Sequence, residues 1–338
     1  MRLIDLHTDW PLQYAEESTV YGAGLYPGVA ARVGQGAGYL QATSAAIVSC
    51  YRRPADWARH PDPWPALDTL IARIEAEFAG RVLRDPVDLA RWDDDPGGLA
   101  WAMIGVEGFD SLIRDEAGLD RLPGLVRRGV RLFQPTYGSA SVLAGSSEAG
   151  DERGLLDLGR RFLDRLAGLA DPGRGPRPVV DLAHLNPTAT AGVLDWFESD
   201  PDRPRRLSIA SSHGAPSHDG DPSPRAISLD NLARLRALGG TIGVGVSPPF
   251  YHDPSQVQAG IEAAAALPFR GRAGYEGIAV GTDFLGVDAT LPGLGNAEEV
   301  TAWVGASFPA EAARAIQHDN ARRLIERAVG STRPSAGD

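Results

Sequence analysis

Eight short apolar runs recur along this 338-residue chain, and most are followed by a longer amphipathic segment. That alternation constrains the fold more than any other feature. The runs are RLIDLH, TSAAIVSCY, AWAMIGVEG, GVRLFQPTY, RPVVDLAHL, RLSIASSHG, GGTIGVGVS and GIAVGTDF. Most are almost uninterruptedly apolar, as expected of parallel strands buried on both faces. Between them lie helix-like stretches such as ALDTLIARIEAEFAG, GLLDLGRRFLDRLAGLA, TATAGVLDWFESD and SLDNLARLRALGG. In the last, Leu229, Leu232, Leu235 and Leu238 repeat at helical spacing and Gly239 supplies a stop. Eight strands alternating with helices is the count of an α/β fold of the (β/α)8 TIM-like barrel type, in a single domain. A doubly wound open sheet is the alternative, but no Gly-x-Gly-x-x-Gly fingerprint follows the first run. The barrel is expected over residues 1–329, and residues 330–338, within GSTRPSAGD, read as a disordered tail.

Composition narrows the chemistry. A net charge of −11 leaves no basic footprint for a phosphate backbone, so no nucleic-acid partner is expected. No basic leader precedes an apolar run and no segment is long enough to span a bilayer, which points to a cytoplasmic protein with no membrane partner. The lone cysteine, Cys50, sits in an apolar run and reads as a core residue, excluding a disulfide and a thiolate zinc site. There is no lysine at all, so a Schiff-base, phosphate-loop or carbamylated lysine is ruled out.

Metal-type side chains gather at the ends of the runs. His7 and Asp9 end the first, Glu107 the third, His184 the fifth, His213 the sixth and Asp283 the eighth. Taken singly, each has a bland reading: a satisfied core histidine, a solvated strand end, or a helix cap in the case of Asp283. Together they fall on the C-terminal rim, where barrel enzymes assemble their active sites. His60, His218, His252 and His318 lie in loops or helices and read as surface residues, His252 being the first candidate for an exception. Three histidines and three carboxylates suit zinc or another divalent ion and suffice for a pair. Two ions ~3.5–4 Å apart need a bridging ligand, and without lysine a strand-three Glu is the natural one.

The segments DLHTDWP, IGVEG, GVRLFQPTYG, VVDLAHLNP, SSHGAP with SPRAISLDNL after it, GGTIGV and VGTDFLG occur in this order. In this the chain resembles the membrane (renal) dipeptidase family, zinc dipeptidases of the amidohydrolase-like barrel group, over nearly its whole length. The resemblance implies two Zn²⁺ ions, one held by His7 and Asp9, the other by His184 and His213, with Glu107 bridging. It implies cleavage of a dipeptide amide by a metal-bridging hydroxide, with tolerance of a D-residue at the C-terminal position. Asp283 would move the proton, and Arg225, in SPRA, would bind the substrate's terminal carboxylate. The family usually carries a histidine after strand four that contacts the scissile carbonyl. Here QPTYGSAS places Tyr137 there, a phenol that can donate a hydrogen bond but carries no positive charge. The expected partner is thus a dipeptide or other small molecule, and a homodimer is compatible with this reading. A specialised hydrolase of another carboxylated amide or peptide-like natural product is the nearest alternative, and a non-catalytic metal-binding barrel the more distant one. Trp10, Phe250 and Phe284 suit either a partly apolar pocket or the core.

Overall fold

A parallel strand has no hairpin partner, so each apolar run needs a crossover before it can pair with the next. The computed structural model, which describes residues 1–14, 33–50, 62–138, 140–148, 150–170, 175–217, 225–248 and 250–330, shows that this happens seven times, once between each two successive strands. The strands are β1 (Leu3–Thr8), β2 (Thr43–Cys50), β3 (Trp101–Val106), β4 (Val130–Phe133), β5 (Val179–Asp181), β6 (Ser208–Gly214), β7 (Thr241–Val244) and β8 (Ile278–Val280). All pair in parallel in chain order, and β8 returns to β1 to close the barrel. The (β/α)8 architecture expected from the alternation is therefore the observed one.

Several crossover helices start on an Asp-Pro or Asn-Pro step. Asp85 precedes Pro86–Asp93, Asn186 precedes Pro187–Glu198 and Asp253 precedes Pro254–Ala266. In each the carboxylate or amide oxygen accepts backbone N–H groups of the first turn, and proline sits where no N–H is needed. Asn186 and Pro187 belong to the run VVDLAHLNP, so the segment that ends with His184 also launches the next helix. The helix read from sequence as TATAGVLDWFESD thus begins one residue earlier, at Pro187, and ends at Glu198.

Packing separates into two layers. Ile4, Leu6, Ala45, Ile47, Met103, Leu132, Val179, Ala210 and Ala279 fill the barrel, and Leu324, Ile325, Ala328 and Val329 of the helix Asn320–Val329 pack against them. A second cluster lies between strands and helices and includes Val48, Cys50, Ile104, Phe133, Val180 and Ile242. Trp10, Phe250 and Phe284 are buried in it. Cys50 is buried too, and burial pushes its thiol above the ordinary range, in line with a core residue.

Closure between β1 and β8 rests on a short register, Asp5 opposite Val280. The Asp5 carboxylate reinforces it. It accepts the Thr282 backbone N–H at 2.9 Å, the Thr282 hydroxyl at 2.6 Å, the Tyr39 hydroxyl at 2.7 Å and the His7 N–H at 3.2 Å. A buried acid is tolerated only when its oxygens are satisfied in this way.

Arg236, on the helix Leu229–Ala237, is fully buried, and its guanidinium donates to the carbonyls of Leu267, Glu276 and Gly274 at 2.8–2.9 Å. Burial lowers its pKa to about 10, so it remains a cation at neutral pH. Arg236→Leu is expected to cost about 3 kcal/mol, because three carbonyls lose a charged donor inside the protein. A denaturant midpoint equal to the parent's would show those carbonyls finding other partners.

Candidate metal centre

Six side chains named from the sequence converge at the C-terminal end of the barrel. His7 lies in β1 with Asp9 just beyond it, Glu107 follows β3, His213 lies in β6, and His184 and Asp283 each sit three residues past their strands. All six are buried. Two conformational devices aim them. The β1–β2 register shifts between Asp5 and Thr8 and the β6–β7 register shifts between Ser211 and Gly214, so His7 and His213 both fall on ladder irregularities. Such interruptions re-aim a side chain. His184 and Asp283 have φ of 64° and 56°, left-handed values that ordinary residues adopt only at a cost.

The geometry centres on Glu107. Its Oε2 lies 3.3 Å from His7 Nε2, and its Oε1 lies 3.1 Å from His184 Nε2 and 3.8 Å from His213 Nε2. His7 Nε2 is also 3.5 Å from Asp9 Oδ1 and 3.8 Å from Asp283 Oδ1. His184 and His213 bring their Nε2 atoms to 3.1 Å of each other. The two oxygens of one carboxylate therefore face two different sets of ligand-type atoms. The Asp9 and Asp283 carboxylates crowd closely enough that a methyl group at Gly286 would come within 2.3 Å of Asp283 Oδ1 and 2.6 Å of Asp9 Oδ2. A larger residue there would have to displace those two carboxylates.

Electrostatics reflect that crowding. Burial works against ionisation of Glu107, yet His7 and His184 hold its carboxyl well below the usual range. Burial and the Glu107 charge push Asp9 up to about 8, and burial pushes Asp283 up to about 6. Burial lowers His184 to about 4 with help from Arg225, and holds His213 well below the ordinary value with help from His7. His7 is the opposite case: burial opposes its charge, but Glu107, Asp9 and Asp283 raise it well above the ordinary value.

Does this donor set suit a metal ion? Among the described residues His7 Nε2 and Asp9 Oδ1 are buried without a hydrogen-bond partner, a costly condition that a cation would relieve. His7, Asp9 and Glu107 place ligand atoms within 4.8 Å of one another, as do Glu107, His184 and His213. Imidazoles and carboxylates without thiols suit zinc and similar divalent ions. The residues fit.

Arg225 and Tyr137 close the site over His184. The Arg225 Nη2 lies 2.9 Å from His184 Nε2, and its guanidinium stands 5.2 Å over the Phe250 ring. Phe250, buried among apolar residues, thus also floors the arginine. Tyr137 stacks on the His184 ring at 4.3 Å and 25°. Its place is set by Asp110, whose carboxylate accepts the backbone N–H groups of Tyr137 and Gly138. His252 is exposed and far from a ligand role, its backbone N–H bonded to Gln256. His318 pairs with Asp319, and His60 and His218 lie outside the described residues.

Sequence reading missed Asp181 and Ser212. Asp181, in β5, is buried beside His7 and His213, and with them forms a third group whose ligand-type atoms lie within 4.8 Å. An acid inside an otherwise apolar strand was the available signal, in VVDL as in RLIDLH. Only the structure tells which partners satisfy it.

The sequence profile of the family described as Membrane dipeptidase (Peptidase family M19) matches residues 1–329. A metallo peptidase from Rhodobacter sphaeroides, liganded with a phosphinate mimic of the dipeptide L-Ala-D-Ala, superposes with a TM-score of 0.70 at 18% identity, covering 97% of this chain and 99% of that one. The metallo peptidase called dipeptidase AC gives 0.71 at 19% identity over 98% and 99% of the two chains. The probable dipeptidase PvdM from Pseudomonas aeruginosa gives 0.70 at 16%, over 97% and 95%. At these identities the likeness is one of fold. A search of curated proteins finds no match. Among the described residues no helix is long and apolar enough to cross a membrane.

Proposed function

We propose, because this chain belongs to the membrane dipeptidase family, that it hydrolyses the amide bond of small substrates bearing a free C-terminal carboxylate, dipeptides first among them. The observation that carries the two-ion form of this reading is the division of Glu107 between His7 on one side and His184 with His213 on the other. His7 and Asp9 would hold one Zn²⁺ or similar ion, His184 and His213 a second, and Glu107 both. When bound, such ions polarise a carbonyl and make water acidic enough to supply a nucleophile near neutral pH.

The chain's own residues supply the rest. Asp283, beside the cluster and raised to about 6 by burial, takes the proton of the attacking water as the C–O bond forms. It then delivers that proton to the amine nitrogen as the C–N bond breaks. Arg225 offers a planar fork that pairs with a carboxylate, held against Phe250 so that little freedom is lost on binding. Tyr137, packed on His184, presents a phenol at the rim where it can donate to the developing oxyanion. The L-Ala-D-Ala mimic bound by the Rhodobacter protein supports acceptance of a D-residue at the C-terminal position. Tyr137, in place of the histidine expected there, favours a second reading: a specialised member acting on another carboxylated amide.

A panel of dipeptides with L- and D-residues at the C-terminal position, assayed with zinc-loaded protein, tests the proposal. Cleavage is expected to fail when the carboxylate is blocked. Arg225→Leu is expected to raise KM for free-carboxylate substrates by about 10²-fold, as loss of a charge-assisted pair predicts. Turnover of blocked and free dipeptides at equal rates would remove Arg225 from this role. No cleavage by protein shown to hold two ions would move the search to other amides.

A further inference from the structure

A histidine offers its Nε2 lone pair to a metal only when its proton sits on Nδ1. Two of the three imidazoles in the centre direct their Nδ1 atoms at one hydroxyl. Ser212 Oγ lies 2.9 Å from Nδ1 of His213 and 3.3 Å from Nδ1 of His7. The same oxygen lies 2.5 Å from Asp181 Oδ2. Asp181 Oδ1 is occupied separately, accepting the backbone N–H of Ser212 at 2.8 Å and that of Ala183 at 3.2 Å. All four side chains are buried, so no bulk water competes for these bonds.

Counting protons settles the direction of each bond. The Ser212 hydroxyl has one hydrogen, and the short contact to a carboxylate oxygen claims it. Its lone pairs are then left to face two Nδ1 atoms, and both contacts are satisfied only if each nitrogen carries hydrogen. With Nδ1 so protonated, each ring turns Nε2 to the side facing Glu107, where a metal ion would take the place of any Nε2 proton. His7 belongs to one half of the cluster and His213 to the other, so a single hydroxyl serves both halves.

We infer that Asp181 and Ser212 form a shared tautomer lock, positioning residues that hold His7 and His213 with Nε2 turned to the metal centre. This deepens the two-ion reading above and rests on it. The competing assignment makes Asp181 itself a ligand, with His7 and His213. It fails on geometry, because the Ser212 hydroxyl fills the space between Asp181 and both Nδ1 atoms. The serine is held in place from behind: a methyl group at Gly281 would come within 1.9 Å of the Ser212 carbonyl oxygen.

Two variants and one spectrum test the lock. Ser212→Ala removes the acceptor and is expected to weaken zinc binding 10- to 100-fold at both ions, the usual effect of losing a ligand's outer partner. Asp181→Asn is sharper. Its amide oxygen must stay toward the two backbone N–H groups, so its NH₂ faces Ser212 Oγ and turns the hydroxyl toward a ring nitrogen. That ring's proton moves to Nε2, and zinc binding is expected to fall further than in Ser212→Ala. The unfolding midpoint of metal-free Ser212→Ala protein is expected to fall modestly, because Asp181 Oδ2 loses its donor, and Ser212→Thr, which restores a hydroxyl, is expected to recover both the midpoint and zinc affinity. ¹⁵N spectra of the histidine rings in the zinc-loaded parent protein read the tautomers directly. Nδ1–H on both His7 and His213 supports the lock, and Nε2–H on either overturns it. Loss confined to one ion in Ser212→Ala overturns the shared role, and unchanged affinity overturns the lock. Parent protein that takes up no zinc overturns the two-ion reading instead, a result the zinc titration separates from the ring spectra.

Discussion

Glu107→Gln protein is expected to purify with one metal ion or none and to lose more than about 10³-fold in turnover. The side chain hardly changes in size, but its chemistry does. One carboxylate oxygen faces His7 and the other faces His184 and His213. An amide keeps an acceptor on one side only and presents an N–H donor to the other, where a cation would sit. The negative charge that both halves share is lost as well. Elemental analysis after dialysis reads the stoichiometry, and the unfolding midpoint of the metal-free variant reports whether the barrel is intact. Two tightly bound ions in a folded variant would end the bridging assignment.

Asp283→Asn is expected to behave in the opposite way, keeping both ions and losing about 10²- to 10⁴-fold in kcat, the usual contribution of a positioned acid–base group. Asparagine can still accept a hydrogen bond but cannot carry the proton from water to amine. Backbone strain does not confound this test. Asp283 has φ of 56°, and asparagine adopts the left-handed region as readily as aspartate does. Its N–H is bonded to the His7 carbonyl at 3.0 Å, a contact the substitution leaves in place. Metal content and kcat measured on the same preparation separate the two roles. A variant with both ions and undiminished turnover would take Asp283 out of the reaction.

The contrast between these residues and the ones the sequence did not yield follows from what a linear pattern records. Strand ends are legible because apolar runs stop, and in a parallel barrel every run stops at the same rim. That is why His7, Asp9, Glu107, His184, His213 and Asp283 can be grouped from the sequence itself. Resemblance alone points to Arg225 and Tyr137, and the structure sets both against His184. Asp181 and Ser212 were visible as letters but not as partners, since a serine next to a histidine and an acid inside a strand have many local uses. Only the pairing of β5 with β6, Asp181 beside Ala210, brings that acid to the Ser212 amide and hydroxyl.

The sequence by itself determined the eightfold alternation, the parallel closure it requires, and the ring of metal-type residues on one face. Those depend on hydrophobic periodicity and on the topology of crossovers, which are local or combinatorial. Tertiary structure alone decided how the ring becomes a site. Register shifts turn His7 and His213, and left-handed backbone at His184 and Asp283 is sustained because the surrounding chain over-determines it. Burial and close charges then invert ordinary acidities: His7 and His184 hold Glu107 ionised against burial, while burial and the Glu107 charge push Asp9 up to about 8. No residue's own preference produces either effect. Both arise from charges forced together out of water, and that proximity exists only once the barrel has closed.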